Sequence, residues 1–173
     1  MNYFKGKKID LIAFEKEHIE ITKEWINNEG MTSYMGSRFP VSLYEQELWY
    51  ENVEKDKTKK KLIIFNKKEY VGMVSIFNID YKNRNSEIGI YIVPDQQHKG
   101  YAQEAIKMIL NFVFLELNMH KVYALIYKTN ILSLSFFKLL GFKYESIDKE
   151  AIYSQGKFID IEKYSIFKKD FME

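Results

Sequence analysis

Among its 173 residues the chain has no cysteine, only three histidines, no long apolar run and almost no excess of either charge. The missing cysteine excludes disulfides, thiolate zinc sites and a cysteine nucleophile, and it fits an intracellular protein. His18, His98 and His120 are scattered without ligand spacing, so no metal site is expected. No stretch approaches the roughly 18 apolar residues of a membrane span. At the N-terminus Ile9, Leu11 and Ile12 alternate with Lys8, Asp10 and Ala13 in place of a signal-peptide core. With 26 basic and 24 acidic residues the net charge is +2, too small to make nucleic acid the main partner. A soluble, cytoplasmic protein is expected, with no membrane partner.

Apolar residues make up 46% of the chain and aromatics 16%, enough for a packed core, and the length suits a single domain over residues 1–173. The most informative stretch runs from Ser86 to Leu117. Ile88, Ile90 and Ile92 alternate with Glu87, Gly89 and Tyr91, the period of a strand with two different faces. From Ala102 the apolar period lengthens through Ala105, Ile106, Ile109, Leu110, Val113 and Leu117, one stripe on a helix of about four turns. Between them lies a basic, glycine-containing turn. A helix start presents N–H groups without intrahelical partners and a partial positive charge, so it can hold an anion. Gly100 lets the backbone approach a diphosphate, Ala102 keeps the first helical turn uncrowded, and Lys99 and protonated His98 add charge. The alternative is an ordinary turn with a solvated basic pair.

Elsewhere, Lys8 to Phe14 reads as a strand and Lys16 to Asn27 as a helix turning Ile19, Trp25 and Ile26 inward, with Gly30 as a stop. Ser42 and Glu45 form an S-x-x-E capping box that starts a helix carrying Leu48, Trp49 and Val53 inward. Lys57, Lys59, Lys60 and Lys61 read as a solvated turn. Strands follow at Leu62 to Phe65, Tyr70 to Ile79, Ser86 to Val93, Lys121 to Tyr127, Phe142 to Ile147 and Lys157 to Phe167, with a short helix from Ile131 to Leu140 capped by Asn130. The pattern is α/β, a mixed sheet with helices on both faces.

Gln97, Gly100 and Ala102 in Q-x-x-G-x-A, preceded by Val93-Pro94 and followed by an amphipathic helix, resemble the acetyl-CoA-binding signature of the GNAT superfamily of N-acetyltransferases. Asn130, Ser133, Phe137, Lys138, Leu140, Gly141 and Phe142 resemble the family's downstream pattern at the family's spacing. The likeness extends over nearly the whole chain. It lies nearest the branch of ribosomal-protein alanine, spermidine and amino-sugar acetyltransferases. It implies a mostly antiparallel sheet of six to seven strands and acetyl-CoA as cosubstrate, bound by Ile92, Val93, Gln97, His98, Lys99, Gly100, Tyr101, Ala102, Asn130 and Phe137. N–H groups near Ile92 and Val93, where the family opens its sheet, would polarise the thioester carbonyl. Asn130 would bind the pantetheine arm, although it also has a reason to exist as a helix cap.

A lysine-like amine with a pKa near 10.4 loses about 4.6 kcal/mol of driving force to protonation at pH 7, so acetyl transfer to it needs a base. Glu87 matches the strand glutamate that serves as base in several GNAT enzymes, and Tyr91 shares its face. The alternative for Glu87 is a partly solvated strand carboxylate in a cross-strand pair. Phe137 stands where many members carry the tyrosine that protonates the thiolate, and it cannot donate a proton. Two readings follow. One is an N-acetyltransferase acting by direct transfer on a primary amine, whether protein N-terminus, amino sugar or polyamine. The other is a non-catalytic acyl-CoA-binding module. Arg38 would welcome a phosphate or carboxylate and repel a polycation, which tilts the expected acceptor toward a protein N-terminus or a nucleotide-linked amino sugar, whereas Glu47, Glu51 and Glu54 on one helical face argue only weakly the other way. Apart from that small-molecule or peptide acceptor, the partner left open is a second copy of the chain in a homodimer.

Overall fold

The computed structural model describes residues 4–28 and 39–172. In chain order the elements are β1 (Phe4–Lys5), β2 (Asp10–Ala13), a 3-10 turn (Lys16–His18), α1 (Ile19–Ile26), α2 (Leu43–Lys55), β3 (Lys60–Phe65), β4 (Tyr70–Asp80) and β5 (Asn85–Ile92). A second 3-10 turn (Pro94–Gln96) leads to α3 (Tyr101–Leu115), β6 (Lys121–Tyr127), α4 (Ile131–Leu139), β7 (Lys143–Ser154), β8 (Lys157–Phe167) and α5 (Lys168–Met172). The strands form an eight-stranded sheet in the order β1-β2-β3-β4-β5-β6-β8-β7. Neighbours pair antiparallel at β1–β2, β2–β3, β3–β4, β6–β8 and β7–β8, and parallel at β5–β6.

Eight strands exceed the six to seven expected because Phe4 and Lys5 pair with Leu11 and Asp10. Two residues are too few to show a period, so the sequence carries no trace of that edge strand. The helix predicted over Lys16 to Asn27 begins as a 3-10 turn and becomes α-helical at Ile19. The capping box at Ser42 forms. The Glu45 N–H donates to Ser42 Oγ at 3.2 Å and the Ser42 N–H donates to Glu45 Oε2 at 2.8 Å. Leu48, however, is exposed. The buried face of α2 follows Gln46, Trp49, Tyr50 and Val53, steps of three and four that leave Leu48 on the other side. Gln46 is tolerated inside because its Nε2 donates to Thr22 Oγ1 at 3.0 Å.

Contacts divide the chain into two compact units, the residues up to Ile76 with Ile90–Ile109, and Phe77–Gly89 with the chain from Leu110 onward. The first has a core of Phe14, Trp25, Ile63 and Met73, against which Ile12, Ile21, Trp49, Tyr50, Tyr70, Tyr91 and Val93 pack. Each such apolar side chain contributes about 1.5–3 kcal/mol when fully buried. In the second, Val113, Phe114, Val122, Ala124, Leu134, Phe137, Phe142 and Ile166 are buried. Phe171 of the unanticipated α5 packs on Phe114 with ring centres 5.4 Å apart. No described helix is long and apolar enough to cross a membrane.

Candidate active site

Within the first unit, the turn after β5 is built by its own side chains. Gln97 Nε2 donates to the Ile92 carbonyl at 3.0 Å, tying the turn back to the strand end. Gln96 is buried, with its Nε2 donating to Glu69 Oε1 and its Oε1 accepting from Lys99 Nζ, both at 2.7 Å. His98 and Gly100 have φ of 60° and 84°. Gly100 therefore occupies the left-handed region where a side chain costs energy, and a Cβ there would lie 3.0 Å from Lys8 Nζ. The Gly100 carbonyl accepts from the Glu104 N–H at 3.1 Å, so the N–H groups of Tyr101, Ala102 and Gln103 form the first turn of α3 without intrahelical acceptors. These donors, at the positive end of a 15-residue helix, make a cradle for an anion.

Lys8, which no local pattern marks, also reaches the turn. Its Nζ donates to the Lys99 carbonyl at 3.0 Å, which brings a second cation to the turn from 91 residues away. Glu104, an acidic residue in the first turn of α3, accepts from the backbone N–H groups of Lys7 and Lys8 and so fastens the segment that carries Lys8. Nothing local in the sequence announces either contact.

The end of β5 departs from expectation at one donor. The Val93 N–H is committed to the Val71 carbonyl at 3.0 Å, so it is spoken for within the fold and is not free to polarise a thioester. Gly72 permits this approach, since a Cβ there would collide with the Tyr91 carbonyl oxygen. The Tyr91 ring packs edge-on against Trp25 at 5.5 Å, and burial pushes its hydroxyl well above the usual phenol range. Its ring is thus part of the aromatic core. Lys61 departs from the solvated-turn reading of the lysine run. Its Nζ donates to Ser75 Oγ at 3.2 Å and lies 5.0 Å from the Trp49 ring, and burial, with Lys59 beside it, lowers its pKa to about 8.

In the second unit Glu87 stands on β5 opposite Tyr123 of β6, in a parallel ladder that pairs Asn85, Ser86 and Glu87 with Lys121, Val122 and Tyr123. Asn78 Nδ2 donates to Glu87 Oε2 at 2.9 Å. Burial raises the Glu87 pKa above the usual carboxylate value, while the Asn78 hydrogen bond and the charge of Lys163 oppose the rise. A carboxyl held above the ordinary value is a stronger proton acceptor than a solvated one.

Asn130 caps α4, its Oδ1 accepting from the Ser133 N–H at 3.1 Å. Phe137 is buried between Phe136 and Phe142, whose ring centres lie 5.3 and 5.0 Å away. Packing alone accounts for an aromatic ring there. Arg38 lies outside the described residues.

Residues 8–143 match the family described as Acetyltransferase (GNAT) domain. The chain belongs to the GNAT acetyltransferase family. This N-acetyltransferase is 25% identical to the spermidine N(1)-acetyltransferase of Vibrio cholerae over 168 residues, covering 96% of this chain and 97% of the relative. A prophage-derived, uncharacterized N-acetyltransferase of Bacillus subtilis is 29% identical over 161 residues, covering 92% of this chain and 90% of its own. The crystal structure of the Vibrio cholerae spermidine N-acetyltransferase in complex with CoA and spermine superposes with a TM-score of 0.90 at 25% identity. It covers 97% of this chain and 100% of that one. The eight-stranded, mostly antiparallel sheet of this acetyltransferase is the GNAT fold.

Proposed function

We propose that this acetyltransferase moves the acetyl group of acetyl-CoA directly to a primary amine, and that polyamines such as spermidine are its acceptor class. The observation that carries the reading is the turn at Gly100, where a left-handed glycine opens a long helix beside Lys8 and Lys99. Its donor set fits a diphosphate, with first-turn N–H groups supplying most contacts and ammonium groups the counter-charge. Gln97 orients the turn and Tyr101 and Ala102 supply donors. The relatives named for spermidine support the acceptor class. The tilt away from polycations rests on Arg38 alone. We also read residues 1–173 as one domain, which the family match supports by running through residues of both units.

Glu87 is the base in this reading. Its carboxylate takes the proton of the acceptor ammonium, directly or through water, leaving the nitrogen lone pair free to attack. The N–C bond forms as the thioester C–S bond breaks and CoA departs as the thiolate, and the second proton shed by the nitrogen reaches that thiolate through solvent, giving an amide and the CoA thiol. Phe137 offers no proton to the departing sulfur. A thiolate leaves without an acid more readily than an alkoxide, its thiol pKa being near 8.5. The absence of cysteine favours direct transfer over an acyl-enzyme formed on a thiol.

The test is a panel of spermidine, spermine, an alanine-terminated peptide and an amino sugar, each incubated with acetyl-CoA and followed by mass spectrometry of the product. N-acetylspermidine formed faster than the other products is the expected result. Transfer confined to the peptide or the sugar would replace the acceptor class. A folded protein that binds CoA and acetylates none of them would restore the binding-module reading.

A further inference from the structure

The described residues around Glu87 form a polar and charged row drawn from five neighbouring strands, β4, β5, β6, β8 and β7. Glu87 of β5 lies opposite Tyr123 of β6, and Tyr123 lies opposite Ser165 of β8, so the three share one face. Lys163, two residues from Ser165 along β8, also projects on that face and brings its Nζ to 4.2 Å from the centre of the Tyr123 ring. The same Nζ is 3.5 Å from Glu145 Oε1 of β7, which Lys121 Nζ of β6 approaches at 3.0 Å. From β4, Asn78 supplies the amide that donates to Glu87 Oε2 at 2.9 Å. Asn78 has a φ of 48° inside a strand, a conformation an asparagine tolerates better than most residues. Strain of this kind persists only where the surroundings over-determine it.

We propose that Lys163 is a positioning residue for the transfer reaction, setting the proton affinity of Glu87 through space across Tyr123, with Glu145 holding and moderating its charge. The inference rests on the reading of Glu87 as the base. The charged and titratable groups of the row are Tyr123 and Lys121 from β6, Lys163 from β8 and Glu145 from β7, while Asn78 is the neutral donor from β4. Burial and then Glu87 itself keep the Tyr123 hydroxyl above the usual phenol range, so Tyr123 stays neutral near pH 7 and presents a ring face. Burial favours the neutral Glu145 carboxyl, but hydrogen bonds from Ser165 and Lys121 and the charges of Lys121 and Lys163 outweigh it, so Glu145 stays ionised. Of the two cations of the row, Lys121 sits closer to Glu145, whereas Lys163 lies over the Tyr123 ring and its charge favours ionised Glu87, with Glu145 the anion that tempers it. Glu145 also lines an open cavity of about 320 Å³ with Lys143, Ser165 and Asp170, so water reaches this end of the row.

The sign follows. Removing the Lys163 charge makes ionised Glu87 less favourable and moves its titration to higher pH, whereas removing the Glu145 charge moves it to lower pH. The experiment is the pH dependence of kcat/KM for acetyl-CoA with spermidine as the probe acceptor, in Lys163→Gln, Lys163→Arg, Glu145→Gln and Glu87→Gln. Titration of the isotopically labelled Glu87 carboxyl, followed by NMR in the first three variants, reads the same quantity without turnover. The acid-side break is expected to rise by about half a pH unit or more in Lys163→Gln, to fall in Glu145→Gln and to return to the parent value in Lys163→Arg. An acid limb lost in Glu87→Gln but unmoved in Lys163→Gln overturns the inference and leaves the base assignment standing. An acid limb that survives Glu87→Gln overturns the base assignment and the inference with it.

Discussion

Around Gly100 the groups that meet charge are mostly backbone N–H donors ordered by one short segment. Around Glu87 they are side chains delivered by the separate strands β4, β5, β6 and β8. The first arrangement depends on conformation, since any residue carries an N–H but few tolerate a φ of 84°. The second depends on identity, because an amide, a phenol and an ammonium have to come from particular positions. Substitution should therefore damage the turn at its glycine more than at its lysines, and the strand face at each polar side chain by an amount that falls with its distance from Glu87.

The largest effect is expected from Gly100→Asp, which puts a side chain in the left-handed region, toward Lys8 Nζ, and a negative charge where a diphosphate would sit. Losing two charge-assisted hydrogen bonds weakens CoA binding on the order of 1000-fold, measured by calorimetry on the folded variant. Unchanged affinity would remove the turn from the cofactor site. Next comes Glu87→Gln, with a fall in kcat/KM of roughly 100-fold at pH 7 while CoA affinity stays close to that of the parent. Part of the loss returns as the pH is raised, because more of the amine is already neutral. A variant with parent rate and parent pH profile would make the carboxylate structural.

Lys8→Ala sharpens the contrast at the turn. One cation among several donors is worth roughly 10-fold in CoA affinity, and the loss should shrink as salt is added. An effect as large as that of Gly100→Asp would mean that side chains, not backbone, hold the diphosphate. Asn130→Ala tests the alternative readings of that residue. As a cap alone it costs about 1 kcal/mol of stability in denaturant unfolding, with CoA affinity unchanged.

The smallest effect concerns His18, which is buried in the first unit. Its Nδ1 accepts from the Glu15 N–H at 2.9 Å, and burial lowers its pKa below the ordinary 6.5 despite Glu17 nearby. The unfolded chain then binds the proton more readily than the folded one, so stability falls as the pH drops below about 6.5 and continues to fall toward the lowered value. His18→Phe should flatten this part of the stability curve. A melting temperature with the same pH dependence in both proteins would contradict the assignment.

The sequence by itself determined whatever depends on neighbours a few residues apart. The alternation at Ile88, Ile90 and Ile92, the helical stripe from Ala102, the capping box of Ser42 and Glu45 and the cap at Asn130 are short-range patterns, and each forms where its period or spacing places it, except that the helix ends at Leu115 and leaves Leu117 beyond it. The glycine turn is legible for the same reason, since Gly100 and the helix start it opens are contiguous. The tertiary structure decided what arrives from elsewhere. Lys8 comes to the turn from 91 residues away, and Asn78, Tyr123, Lys163 and Glu145 meet Glu87 or one another only once strand register is set. It also decided that Leu48 faces water, that Lys61 is drawn against Trp49 and that the Val93 N–H is used by Val71. Local patterns reflect backbone geometry, which repeats every 2 or 3.6 residues, whereas burial, proton affinity and donor availability depend on which distant group closes the site to water.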